Sequence, residues 1–126
     1  MTDDRAVWRL RDIKTCIVEI RQLLAGKTFE DLQKETVTRA AFERFLDILS
    51  EASRHVPDDW KREQDTIPWR QVADLGNHLR HAYHRTDAQA LWSIYADDLD
   101  PLERGVDAML KVRGSDQSEG THAALD

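Results

Sequence analysis

Leu10, Ile13, Ile17, Ile20 and Leu24 recur at steps of +3, +4, +3 and +4. An α-helix completes a turn in 3.6 residues, so this spacing lines all five side chains along one narrow stripe. Arg9, Arg11, Lys14, Glu19 and Arg21 fill most of the remaining surface. Such a stripe is stable against water only when other helices cover it, so residues 7–24 predict one rod of a helical bundle. No strand-like alternation of apolar and polar residues interrupts this reading through residue 55. Five glycines and three prolines in 126 residues leave room for long helices elsewhere.

Further along, Gly26 is placed to stop the first helix. Thr28 and Asp31 form a capping-box pair for a short helix anchored by Phe29 and Leu32. Residues 36–55 predict a long helix with Thr36 as cap, an apolar stripe of Ala41, Phe45, Ile48, Leu49 and Ala52, and Pro57 as terminator. Residues 57–67 form a polar connection with a helical turn expected around Trp60. Pro68 suits the first position of a fourth helix, which the pattern extends to Arg85. Thr86-Asp87 can cap a fifth, with Leu91, Ile94 and Tyr95 inward and Trp92 in support. Asp97, Asp98 and Asp100 predict a polar break, and Asp100-Pro101-Leu102-Glu103 predicts a fresh helix start. Leu102, Val106, Met109 and Leu110 then point inward. The expected architecture is all-α, an antiparallel bundle of four to five helices over residues 1–112, followed by a disordered polar tail at 113–126. Four tryptophans suggest a bulky core or a buried partner surface.

Charge and composition remove several functional classes. A formal net charge of −6 opposes non-specific binding of nucleic acid over the whole surface. It leaves room for a local basic cleft, and residues 70–85 carry three arginines against one acid, Asp74. No apolar run reaches the roughly 20 residues of a membrane helix, so no membrane partner is expected. Met1-Thr2-Asp3-Asp4 is acidic where a secretory leader is basic, so no signal peptide is expected. Cys16, the single cysteine, excludes an internal disulfide and follows the apolar stripe as a core thiol. A cytoplasmic location is expected.

Chemistry concentrates in Asn77-His78-Leu79-Arg80-His81-Ala82-Tyr83-His84-Arg85. On one continuous helix Val72, Leu75, Leu79 and Ala82 face the core. Asn77, Arg80, His81 and His84 then share the opposite side. A histidine beside cations is equipped to move protons while the cations stabilise negative charge on phosphate. The alternative is a polar interface or a solvated helix face. His78, His81 and His84 have the i, i+3 spacing of metal-ligand pairs, yet three such residues drift around a helix and no carboxylate joins them. Neither a metal nor a cofactor is expected. Glu51, beside the apolar stripe of its helix, is either an orienting partner for this cluster or an acid at the edge of the core.

The run Ile67-Pro68-Trp69, Asn77-x-Leu79-x-His81-x-Tyr83 and Leu91-Trp92-x-Ile94 resembles the HepT-like proteins of the HEPN superfamily, as does Leu49-Ser50-Glu51-Ala52. The resemblance extends from about Leu10 to Leu110. It implies a homodimer of α-helical bundles acting as a ribonuclease toxin, encoded beside a minimal nucleotidyltransferase (MNT) antitoxin. It also implies metal-independent cleavage of RNA (tRNA or mRNA) in a cleft between two subunits. His81 matches the motif histidine, and Asn77 matches the polar residue after the motif arginine. Tyr83 matches the tyrosine that the antitoxin modifies with AMP in some members. In that reading the ribose 2′-OH attacks the adjacent phosphate, His81 moves protons and a nearby arginine stabilises the phosphorane. The sequence departs from the motif at Gly76, which stands where the arginine is expected. Arg80, Arg85 or an arginine of the second subunit can supply the charge, with His84 in a supporting place. The competing expectation is a HEPN-type binding module that has lost cleavage and acts through its nucleotidyltransferase partner.

Overall fold

The chain is described by a computed structural model over residues 4–113. Its elements are α1 (Asp4–Leu24), α2 (Phe29–Lys34), α3 (Thr36–Arg54), α4 (Asp58–Arg62), α5 (Trp69–Ala73), α6 (Leu75–Leu79), α7 (Arg85–Ser93), a π-helical turn (Ile94–Asp98) and α8 (Leu99–Arg113). No strand occurs among the described residues, and the fold is the expected all-α bundle. The tail expected at 113–126 lies, apart from Arg113, outside the described residues. No helix among the described residues is long and apolar enough to cross a membrane.

The five stripe residues of α1 are completely buried, with Cys16 beside them. α1 packs on α3 along one side and on α8 along the other. Burial pushes the Cys16 thiol up to about 11, so it is an inert core group. The opposing wall from α3 is Phe42, Leu46, Leu49 and Ala52, each at most 1% exposed. This corrects the expected stripe by one position, because Ala41, Phe45 and Ile48 are only partly buried. Both sets have helical spacing. The choice falls to the wider arc of α3 that α1, α2, α5 and α6 together cover.

Local signals hold in part: the caps expected at Thr36 and at Thr86-Asp87 fall instead at Glu35 and His84, neither with a side-chain capping bond, whereas the Gly26 and Thr28 signals stand. Gly26 has φ of 76°, the left-handed conformation of a helix stop. The Asp31 N–H donates to Thr28 Oγ1 at 3.0 Å, and the Thr28 N–H donates to Asp31 Oδ2 at 3.0 Å, completing the capping box. Trp60 sits buried in α4, as the helical turn requires, with the Arg113 guanidinium 4.2 Å from its ring centre. Trp69 and Trp92 pack partly buried against the core, while Trp8 is 36% exposed beneath Arg11.

The predicted break at Asp97–Asp100 does not occur. Helix continues from α7 through a π-helical turn into α8. Pro101 gives the reason. Its ring clashes with the carbonyl four residues back and it has no N–H to donate. Widening the preceding turn accommodates both defects without ending the rod. In α8, Gly105 allows close approach: a methyl group there would lie 2.2 Å from Ile67 Cδ1.

An ion-pair ladder fixes α8 against α1. Lys14 Nζ lies 2.7 Å from Glu103 and 2.9 Å from Asp107, while Arg21 Nη2 lies 2.6 Å from Asp100 and 2.9 Å from Glu103. Residue 14 meets the later acids and residue 21 the earlier ones, so the rods run antiparallel. The hydrogen bond from Lys14, then that from Arg21, holds the Glu103 carboxyl below its ordinary 4.5. A depressed carboxyl pKa stabilises the fold above the unfolded value and loses that contribution as pH falls through the folded one. Glu103→Gln is therefore expected to lower stability by about 1 kcal/mol at about pH 7. Urea midpoints should converge with those of the unsubstituted chain as acid protonates the folded carboxyl, below its ordinary titration range. A gap that persists in acid would mean that packing, not charge, is responsible.

Candidate functional site

The segment read as one helix over 68–85 is broken. α5 ends at Ala73, Asp74 forms the junction with φ −85° and ψ 0°, and α6 ends at Leu79. From His81 onward the backbone uses three-residue hydrogen bonds: His81 N–H to the His78 carbonyl at 3.1 Å, Ala82 to Leu79 at 3.4 Å and His84 to His81 at 2.9 Å. Three-residue bonds wind the chain tighter than an α-helix and bring side chains at i and i+3 into line. The His81 and His84 rings accordingly lie 6.0 Å apart, and the Tyr83 and His84 rings 4.3 Å apart. These residues occupy a turn, not the outer face of a helix. The apolar half of the pattern survives the break: Val72, Leu75 and Ala82 are buried and Leu79 packs partly buried. Short helices tolerate such winding because packing, not length, supplies their stability.

The polar half forms an exposed ridge. Asn77, Arg80, His81, Tyr83 and His84 are all exposed, Tyr83 to 75%. Arg80 Nη2 donates to Asn77 Oδ1, which holds the guanidinium and the amide together next to His81. An exposed imidazole on the same short segment as a paired guanidinium and amide can move a proton and contact an anionic oxygen. Among the described residues no three His, Cys, Asp or Glu side chains converge as a metal site.

Other predicted participants go elsewhere. His78 turns back, its Nδ1 lying 2.8 Å from Asp87 Oδ1 in the first turn of α7. Arg85 pairs with Glu30 at 2.6 Å and lies over the Phe29 ring at 5.0 Å. Glu51 does not orient the histidines. It is exposed and accepts from Arg54 Nη1 at 2.7 Å, with His55 Nε2 at 3.0 Å from its other oxygen. The physical reason is its place in the last two turns of α3, where i+3 and i+4 partners reach it first. A separate cleft of about 350 Å³ is lined by His78, Asp74, Gln71, Ile94 and Asp98, and the ridge residues do not line it. Burial, then neighbouring Asp97, holds the Asp98 carboxyl above its ordinary value.

One residue at the site was not legible in the sequence. Arg54 reaches from α3 to position 76, where a Cβ would lie 3.4 Å from its Nη2. Its only sequence signal was the unexplained glycine on the other helix.

Comparison with known proteins bears on this geometry. The family described as Ribonuclease HepT-like matches residues 13–109, which include every ridge residue. The chain belongs to the HepT-like ribonuclease family. A protein named probable ribonuclease HepT from Thermococcus cleftensis is 36% identical over 94 residues, covering 75% of this chain and 86% of that relative. A candidate RNase of Caldanaerobacter subterraneus is 29% identical over 86 residues, covering 68% and 77%. A candidate RNase of Methanocaldococcus jannaschii is 26% identical over 98 residues, covering 78% and 90%. No solved structure matches the chain.

In this HepT-like chain the His78–Asp87 pair ties the turn to the start of α7, where a carboxylate also complements the helix N-terminus. Asp87→Ala is expected to cost about 1 kcal/mol in urea unfolding. Combined with His78→Ala it should cost less than the sum of the two single changes. Strict additivity in that double-mutant cycle would show that the pair is not coupled.

Proposed function

We propose that this HepT-like protein is a metal-independent endoribonuclease toxin that works as a homodimer, with His81 as its acid–base group. The observation that carries this reading is an exposed His81 beside the Arg80–Asn77 pair, in a chain of a ribonuclease family. His81 accepts the proton of a ribose 2′-OH as that oxygen bonds to the adjacent phosphorus. The bond from phosphorus to the 5′-oxygen breaks, and the leaving oxygen takes up a proton from an imidazolium. The products are a 2′,3′-cyclic phosphate and a 5′-hydroxyl. Arg80 and Asn77 stabilise charge on the non-bridging oxygens. A convex ridge excludes little water by itself, so a second copy of the chain completes the cleft. RNA, as tRNA or mRNA, is the substrate.

Regulation in this proposal falls to an MNT-type nucleotidyltransferase antitoxin. Tyr83 is accessible, and its ring lies beside His84. AMP attached to its hydroxyl adds a negative phosphate and a nucleotide next to His81, obstructing RNA by charge and by bulk. A second reading rests on Gly76: a HEPN-type binding module without cleavage, acting through the same partner.

Purified protein incubated with total RNA is expected to cleave it equally with and without EDTA. His81→Ala should lower the rate at least about 10²-fold, whereas His78→Gln, outside the ridge, should cleave normally. Wild-type protein that leaves RNA intact, while co-purifying with the nucleotidyltransferase, would favour the binding-module reading. Sedimentation should give a dimer. After co-expression with the partner and ATP, intact mass should rise by one or more AMP units, and Tyr83→Phe should abolish the rise. A rise that survives Tyr83→Phe removes that assignment.

A further inference from the structure

We propose that Arg54 of α3, seated over Gly76, is a second guanidinium, besides Arg80, that contacts RNA phosphate near His81. This rests on the ribonuclease reading of the ridge and adds to it a group from a different helix. The break between α5 and α6 changes the backbone pairing around it. In an unbroken helix the Ala73 carbonyl would accept from the Asn77 N–H. Here the Asn77 N–H donates to the Asp74 carbonyl at 3.0 Å, and the Ala73 carbonyl accepts from Arg54 Nη2 at 3.0 Å and Ser50 Oγ at 3.2 Å. The helix break thus creates the acceptor that docks Arg54.

Two more contacts hold the head group. Arg54 Nη2 also lies 3.2 Å from Ser50 Oγ, and Nη1 donates to Glu51 Oε1 at 2.7 Å. These three acceptors engage three of the five donors on a guanidinium. The Arg54 side chain remains 45% exposed, leaving donors for an outside anion. Glu51, itself bonded to His55, orients this arginine.

Gly76 provides the seat. Apart from Arg54 Nη2, no atom of another element among the described residues stands within 4 Å of the position a Cβ would take at residue 76. A long side chain there would compete with Arg54 for the same space. Gly76 lies five residues before His81, three steps within α6 and two in the tightened turn, so the seat of Arg54 and the imidazole belong to one continuous segment. Of the other cations near the turn, Arg80 serves the ridge together with Asn77, and Arg85 is drawn away by Glu30 and Phe29. Arg54 is the one fixed in orientation by the packing of two helices.

The test uses the full chain and a short single-stranded oligoribonucleotide. Arg54→Gln removes the charge, while Ser50 Oγ still donates to the Ala73 carbonyl. It is expected to cut cleavage on the order of 10²–10³-fold in a chain that still folds, as its helical circular dichroism checks. Arg54→Ala with Gly76→Arg, which moves the guanidinium onto α6, should recover at least about tenfold of the activity lost in Arg54→Ala, a one-decade effect on transition-state stabilisation. RNA binding reads Arg54 without cleavage. Losing one phosphate contact should lower the slope of log affinity against log salt by about 0.7. If Arg54→Gln folds, cleaves at the wild-type rate and keeps the salt slope, Arg54 is not the phosphate contact, whatever His81→Ala does. If His81→Ala cleaves normally, the ribonuclease reading of the ridge fails, and the salt slope still decides Arg54. If wild type binds but does not cleave, a reduced slope in Arg54→Gln supports the contact and an unchanged slope removes it.

Discussion

Every other element takes its place from the buried seam of α1. Leu10, Ile13, Ile17, Ile20 and Leu24 have no exposed surface, and full burial of one such side chain contributes about 1.5–3 kcal/mol. α3 and α8 cover that seam from two sides. Lys14 and Arg21, on the outer edge of the same helix, then fix the direction and register of α8 through Glu103, Asp100 and Asp107. Apolar burial supplies most of the stability here, and the partly exposed ion pairs select one alignment among those that burial alone would permit.

With the three rods set, the remaining chain need not be regular. Residues 69–84 lie across α3 as two short helices and a tightened turn, anchored by Val72, Leu75 and Ala82. The irregularity has local chemical consequences. The break at Asp74 frees the Ala73 carbonyl for Arg54 and Ser50. The three-residue bonding after Leu79 brings His84 into line with His81 and leaves both exposed. A continuous helix would satisfy its own carbonyls and spread the histidines around its axis. The ridge takes its particular geometry from the failure of the helix there. Local departures from regular winding are common where backbone or side chains serve a ligand.

The ridge and the 350 Å³ cleft are different surfaces of one segment. His78 belongs to the cleft side through Asp87, and His81 to the ridge with Arg80 and Asn77. Three histidines at equal spacing in the sequence thus divide into one that ties the turn to α7 and two on the exposed edge.

The sequence by itself determined the helical class, the buried stripe of α1, the Gly26 stop, the Thr28–Asp31 cap, the buried Cys16 and the apolar anchors of the 69–84 segment. Membership of the HepT-like family was also legible, because several separated motifs stand in register. These depend on spacing along one helix or on contacts between near neighbours. Tertiary structure decided what depends on distant partners. It chose Phe42 and Leu46 over Ala41 and Phe45, because the covering helices, not periodicity, select between two equivalent stripes. It carried the rod through Asp97–Asp100, because a π-helical turn can absorb Pro101. It sent Glu51 to Arg54 and His55, and Arg85 to Glu30. It also set Arg54 over Gly76. That pairing joins residues 22 positions apart on two helices, and no local pattern encodes where one helix end meets a gap in another.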